Sequence, residues 1–328
     1  VEAVIKLLVG DCRKRLRELE AGSVHTCVSS PPYFGLRDYG HDDQIGAEES
    51  PEAYVAQLVE VFSEVRRVLR DDGTLWLNLG DSYARNPATG GSGTPNGRNV
   101  SRQGYGGGGG IPLGVKEKDL LGIPWMTAFA LRADGWFLRQ EIIWHKVNPM
   151  PESVKDRPTR SHEQIFLLSK SPAYYFDAAA IAEPAVGTSI HDLTGGGYAP
   201  PGQRPSTPRK RGPALHPDTK STNGNGGLSR REPMPTRNRR SVWTVIAEPF
   251  GGAHFATYPP ALVEPCILAG SPEGGTVIDP FGGAGTTALV ADRLKRNAVI
   301  CELNPEYAEI AHKRLVSDAG MFLKLEVL

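Results

Sequence analysis

The chain has 328 residues, 39% hydrophobic and 23% charged, with 37 Lys/Arg balanced by 37 Asp/Glu. These proportions describe an ordinary globular protein with one large core or two unequal ones, so a catalytic domain plus a smaller module is the first expectation. The zero net charge hides an asymmetry: Pro201 to Arg240 holds ten Lys/Arg against Asp218 and Glu232, so this segment carries +8 and the remainder −8, as expected of a protein with one segment facing phosphates.

Cys12, Cys27, Cys266 and Cys301 are widely separated, with no CxxC pair and no histidine at metal-ligand spacing. A disulfide framework and a metal site are therefore not expected, and a reducing cytoplasm is. The opening stretch becomes charged too soon for a signal peptide, and no stretch approaches the ~20 apolar residues of a membrane span.

In chain order, a strand is predicted over Val4 to Val9, a helix from about Arg13 to Ala21, and a strand over Val24 to Val28 that runs into Ser29-Ser30-Pro31-Pro32-Tyr33. From Pro51 to Leu69 the apolar residues Tyr54, Val55, Leu58, Val61, Phe62, Val65 and Val68 form the stripe of a helix lying on a sheet. Asp72-Gly73 then reads as a turn into a buried strand, TLWLNLGD. Asn86 to Gly110 has ten glycines in 25 positions and predicts a mobile loop. A helix is expected from about Leu120 to Ala133, and strands over Phe137 to Trp144 and Gln164 to Ser169. The region from about Glu183 to Arg240, rich in Pro, Gly, Ser, Thr and Arg, reads as an inserted module. The last third alternates strand (Thr276 to Ile278), glycine loop (Asp279 to Gly285), helix (Thr286 to Leu294), strand (Ala298 to Cys301) and helix (Pro305 to about Val316). The expected fold is therefore α/β, a doubly wound, mostly parallel seven-stranded sheet.

Two segments carry chemistry. In DPFGGAGTT, Gly282, Gly283 and Gly285 let the backbone turn sharply and approach a ligand. Glu302 ends the next strand, seventeen residues beyond Gly285, where a carboxylate can accept from both hydroxyls of a ribose. A glycine loop alone is equally a structural turn; the loop with its spaced acid points to a nucleoside. The pattern is neither GxGxxG nor a phosphate-cradling GK[ST] loop, which weakens a dinucleotide oxidoreductase.

In the second segment, Pro31 and Pro32 fix two φ angles and remove two backbone donors, leaving acceptors: backbone carbonyls, notably that of Pro31, and the Ser30 hydroxyl. Two acceptors on an exocyclic base amine pull its nitrogen towards tetrahedral geometry and free its lone pair, with positioning supplying most of the acceleration. Tyr33 would stack on such a base, worth ~1–3 kcal/mol, and a base in duplex DNA must be flipped out to arrive there. SPPY alone reads rather as a rigid turn with an aromatic plug, and it is the cofactor loop elsewhere in the chain that favours the base site.

These residues resemble the amino-methyltransferases of bacterial and phage DNA, in the group whose catalytic motif precedes the cofactor motif. SSPPY is similar to the catalytic motif, DPFGGAGTT to the S-adenosylmethionine loop, and NAVICELNPEYAEIAHKRL to the ribose-binding strand and helix. The resemblance implies catalytic roles for Ser30, Pro31, Pro32 and Tyr33. It also implies S-adenosyl-L-methionine as cofactor, held by Asp11, Cys12, Thr257, Tyr258, Asp279, Phe281, Gly283, Gly285, Thr286 and Glu302. IIWHKVNPMPESVKDRPTRSHEQIFLLSKS is similar to the segment flanking the target base, which implicates Trp144, His145 and Lys146. The domains expected are a catalytic half over residues 1–180, a target-recognition segment over 181–240 and a cofactor half over 241–328, with Arg209, Lys210 and Arg211 in the basic segment as DNA contacts.

Serine in the first motif position resembles enzymes that make N4-methylcytosine, whereas adenine enzymes more often carry Asp, a stronger charge-assisted acceptor. The reading favours cytosine N4; adenine N6 and a catalytically silent DNA-binding protein are the alternatives. Expected partners are double-stranded DNA and a cognate restriction endonuclease; the protein would be a monomer or homodimer, without membrane association.

Overall fold

Strands from opposite ends of the chain pair side by side, and this pairing places the site. The computed structural model describes residues 3–35, 43–84, 115–185, 236–247, 258–319 and 324–328. Its first elements are β1 (Val4–Val9), α1 (Cys12–Arg15) with a 3-10 turn (Leu16–Glu18), β2 (Val24–Ser29), α2 (Pro51–Val68) and β3 (Leu69–Leu79). Next come α3 (Ile123–Ala133), β4 (Phe137–His145), β5 (His162–Ser169), β6 (Glu183–Pro184), β7 (Thr236–Arg237) and β8 (Val242–Thr244). The last are α4 (Pro260–Gly270), β9 (Thr276–Asp279), α5 (Thr286–Arg293), β10 (Asn297–Glu302), α6 (Pro305–Ala319) and β11 (Lys324–Val327).

The chain divides into two compact units, Val1–Ile181 with Arg240–Leu328, and Ala182–Arg239. Among the described residues of the second unit, β6 pairs antiparallel with β7 and Arg237 Nε donates to Glu183 Oε1 at 2.7 Å.

The first unit is built on a nine-stranded sheet in the order β11-β1-β10-β9-β2-β3-β5-β4-β8. Every neighbouring pair is parallel except the two made by β5, which runs antiparallel to β3 and β4. The seven expected strands are the inner run from β1 to β4; β8 and β11 add short edges whose three or four residues carry no readable alternation. α1, α2 and α3 cover one face, where Leu16, Tyr54, Leu58, Phe62 and Leu131 form the core. α4, α5 and α6 cover the other, with Leu262, Ile267, Leu289, Ala308 and Leu315.

α2 shows how the sequence specifies an element. The Ser50 side chain caps it by accepting from Ala53 N at 3.1 Å, Pro51 supplies a helix-ready φ at the first position, and the predicted stripe from Tyr54 to Val68 is buried. Each such side chain contributes ~1.5–3 kcal/mol on burial.

Three elements differ from expectation. The first helix is a single turn running into a 3-10 turn that ends at Glu18. Asp72-Gly73 does not reverse the chain: β3 begins at Leu69, opposite Val24, and Arg70–Gly73 bulge out before pairing resumes at Thr26 and Thr74. α4 has no periodic signal in the sequence, because PALVEPCILAG is apolar almost throughout and holds Pro265 inside the helix. No helix among the described residues is long and apolar enough to cross a membrane.

Candidate active site

The parallel strands β1, β2, β9 and β10 release their chains at one end of the sheet, the end where open α/β folds bind ligands. β2 stops at Ser29, and the Ser30–Tyr33 turn begins immediately. The Tyr54 hydroxyl of α2 donates to the Pro32 carbonyl at 2.8 Å. This contact ties the proline turn to α2, and Pro31 lines the cleft beside it.

β9 stops at Asp279, whose carboxylate is buried. Oδ1 accepts from Ser29 Oγ at 2.7 Å and Phe281 N at 3.0 Å; Oδ2 accepts from Thr287 Oγ1 at 2.6 Å and the Tyr258 hydroxyl at 3.0 Å. Burial raises the Asp279 pKa, and these hydrogen bonds only partly oppose it. Burial and the adjacent Asp279 push the Tyr258 phenol well up, so it remains a donor.

The glycine loop crosses to β10, where Glu302 receives it: Gly283 N donates to Glu302 Oε2 at 2.7 Å and Asn304 N to Oε1 at 2.9 Å. Gly283 has φ +50° and open space where a Cβ would stand. It is a cradle a side chain would fill.

Both motifs line one cleft of about 230 Å3. Ser30, Pro31, Pro32 and Tyr33 contribute to it from one side, and Phe281, Gly283, Thr286 and Glu302 from the other, joined by Asp11, Cys12 and Tyr258. Asp11 caps α1 and is gripped by Arg13, whose Nε lies 3.0 Å from each carboxylate oxygen. Burial opposes its ionisation, but the Arg13 contacts outweigh that and hold its pKa below the usual range. Burial pushes the Cys12 thiol up to about 12, so it lines the cleft as a neutral group and not as a nucleophile.

At the Tyr33 end lies a polar network in which Ser30, Tyr33 and Lys146 are joined by two residues the motifs do not single out, Asn78 and Glu163. The register of β3, β4 and β5 places Asn78 opposite Ile165 and Glu163 opposite Trp144, so Asn78, Glu163 and Trp144 share a face of the sheet. Tyr33 donates its hydroxyl to Glu163 Oε2 at 2.7 Å. Asn78 Nδ2 donates to the Tyr33 hydroxyl at 2.9 Å, to Glu163 Oε2 at 3.1 Å and, more weakly, to Ser30 Oγ at 3.3 Å. Lys146 Nζ donates to Glu163 Oε1 and sits 4.3 Å from the Trp144 ring centroid. Burial and the Glu163 charge push the Tyr33 phenol well above its ordinary pKa.

Some expected residues lie elsewhere. Asp279 does not line the cleft; with its oxygens saturated it joins the two motifs from beneath. Gly285 also stands away from the cleft and packs on Ala311 of α6. His145 is exposed and faces Thr244, because the strand alternation that turns Trp144 and Lys146 to the cleft turns it outward. Thr257, the basic triplet Arg209, Lys210 and Arg211, and the glycine-rich 86–110 segment lie outside the described residues. Beyond Asn78 and Glu163, the cleft gains Gln44, Asn304 and Tyr307. The one sequence signal for Asn78 was a polar residue inside the apolar strand LWLNL.

A family model described as DNA methylase, covering N6 and N4 enzymes, matches residues 24–313. The chain belongs to this DNA methylase family. The methylase is 44% identical over 313 residues to the Type II methyltransferase M.SmaI of Serratia marcescens, covering 95% of this chain and 90% of that one. It is 45% identical over 320 residues to M.Cfr9I of Citrobacter freundii, covering 94% and 87%. Among solved structures, TTHA0409 of Thermus thermophilus, a putative DNA modification methylase complexed with S-adenosyl-L-methionine, matches with TM-score 0.58 at 25% identity, over 99% of this chain and 98% of that one. The PvuII DNA methyltransferase matches in fold with TM-score 0.61 at 16% identity, covering 100% and 95%. The methylase thus has the Rossmann-like fold of S-adenosylmethionine-dependent methyltransferases.

Proposed function

We propose that this methylase transfers a methyl group to the exocyclic N4 amine of a cytosine flipped out of double-stranded DNA at a specific site, as a modification enzyme of Type II like its relatives. The observation that carries the reading is the shared cleft: the Ser30–Tyr33 turn and the Phe281–Gly283 loop line the same cavity. The cradle at Gly283, the Glu302 carboxylate beneath it and Asp11 fit S-adenosylmethionine, which when bound supplies an electrophilic methyl group. Glu302 would accept from the ribose hydroxyls, and Asp11 would face the adenine.

At the other end, Ser30 Oγ and the Pro31 carbonyl accept from the two N–H groups of the target amine, so its lone pair points at the methyl carbon. Tyr33 stacks on the extruded base, Lys146 hydrogen-bonds its edge, and the basic 181–240 segment reads the surrounding duplex. Trp144, 3% exposed with Lys146 over its ring, supports the wall and does not stack on the base. Cytosine is favoured because Ser30, a neutral acceptor, stands where adenine enzymes more often carry Asp.

Incubation with tritiated S-adenosylmethionine and duplex DNA, followed by mass spectrometry of the nucleosides, tests this directly. N4-methylcytosine is expected; N6-methyladenine would reassign the base while keeping the mechanism, and no label in DNA would remove the reading altogether.

A further inference from the structure

Glu163 belongs to neither the proline turn nor the glycine loop, yet five of the hydrogen bonds at the Tyr33 end of the cleft involve it or a group it holds. Its two oxygens are used differently. Oε2 takes the Tyr33 hydroxyl and the Asn78 amide, and Oε1 takes the Lys146 ammonium. Tyr33 comes from the turn after β2, Asn78 from β3 and Lys146 from the end of β4, so one carboxylate on β5 ties together three separate pieces of the wall. Its side chain is 13% exposed and that of Lys146 is 22% exposed, so solvent screens these contacts less than it would on an open surface.

The hydrogen-bond directions follow from the carboxylate. A carboxylate only accepts, so the amide end of Asn78 that faces Glu163 must be nitrogen. That nitrogen also reaches Ser30 Oγ, which makes Ser30 an acceptor there and leaves its second lone pair for a ligand. The Tyr33 hydroxyl, spent on Glu163, has no hydrogen to donate to a base, so Tyr33 presents its ring. Lys146 keeps two further N–H donors.

We propose that Glu163 is a positioning residue for methyl transfer: it orients Tyr33, Lys146 and, through Asn78, Ser30 around the target base without itself touching the reacting atoms. This rests on the reading of Ser30–Tyr33 as the base site.

The test is a double-mutant cycle of Glu163→Gln and Tyr33→Phe, which isolates pairwise coupling. Glutamine keeps the shape but places an NH2 against either Lys146 or the donors from Tyr33 and Asn78. Expected is a fall in kcat of ~10- to 100-fold, the scale of a small misplacement of reacting groups, with S-adenosylmethionine Kd changed less than about 2-fold because the cofactor end lies apart. Tyr33→Phe should cost less alone and almost nothing further on top of Glu163→Gln.

Losses that multiply independently, a parallel loss of cofactor affinity, or unchanged kcat in Glu163→Gln would each overturn the proposal. A fall in Tm with kcat per folded molecule preserved would reduce Glu163 to a structural group. Ser30→Ala separates the two failures: if it leaves transfer intact the base-site reading itself falls, and if it alone abolishes transfer only the role of Glu163 does.

Discussion

Ser29 and Asp279, 250 residues apart in the chain, share a 2.7 Å hydrogen bond that bolts the end of β2 to the end of β9. The residue after Ser29 begins the proline turn, and the residues after Asp279 begin the glycine loop. The distance between the two halves of the site is set by this buried contact and by the neighbouring pairing of the two strands.

Asp279→Ala should therefore damage fold and site together. It strands Ser29, Thr287, the Tyr258 hydroxyl and Phe281 N without their acceptor, at ~1–3 kcal/mol for each group left unsatisfied. Thermal unfolding should show a loss of at least ~3 kcal/mol, with Ser29→Ala well under half of it. Equal effects of the two substitutions would count against the hub.

The same residue makes a pH prediction. Burial raises the Asp279 pKa above its ordinary value, so the folded state holds the proton more tightly than the unfolded chain does. The stability this residue contributes is full below the ordinary aspartate range and declines as pH rises through the raised pKa. Denaturant titrations of the wild type and Asp279→Asn across that window should show the wild type losing stability relative to the variant; a pH-independent difference would contradict the sign.

On the proposed mechanism, Ser30→Ala removes one of two acceptors on the amine and nothing from the cofactor end. Single-turnover transfer should fall ~100-fold or more, with S-adenosylmethionine binding by calorimetry within about 2-fold of wild type. Comparable losses in both measurements would remove Ser30 from the chemistry.

Glu302→Ala should show the opposite pattern, because it also releases Gly283 N and Asn304 N, both within 2.9 Å of the carboxylate. Cofactor Kd is expected to rise ~10- to 100-fold, as the loss of a charged hydrogen-bond partner at ~1.5–3 kcal/mol implies. Saturating cofactor should restore most of kcat; a kcat defect that persists at saturation would place Glu302 in the transfer step.

Gly80 gives a steric test of the Tyr33 ring. A Cβ at this position would lie 2.8 Å from Tyr33 Cδ2 and nearer still to Cε2, inside van der Waals contact, so Gly80→Ala must displace the ring from its place beside Asn78 and Glu163. Methyl transfer should fall with cofactor binding retained, and quenching of a fluorescent base analogue at the target position would report the lost stack. Normal kinetics in Gly80→Ala would show that the ring position is not critical.

Local patterns sufficed for much of this protein. The period of the α2 stripe, the seven inner strands and the two motifs were legible because each depends on residues close in sequence, where side-chain alternation and backbone φ preferences act directly. DPFGGAGTT and SSPPY carry their turns in their own glycines and prolines, so their shape did not depend on context.

What the tertiary structure alone decided is how these pieces meet. Asn78 and Glu163 look like ordinary strand residues until the register of β3, β4 and β5 places them beside Tyr33, and Asp279 reads as a loop carboxylate until β9 sets it against Ser29. Register and crossover are fixed by burial of apolar faces summed over the whole sheet, a non-local energy that no window of sequence contains. The chemistry of each motif was local; the cleft between them is a property of the fold.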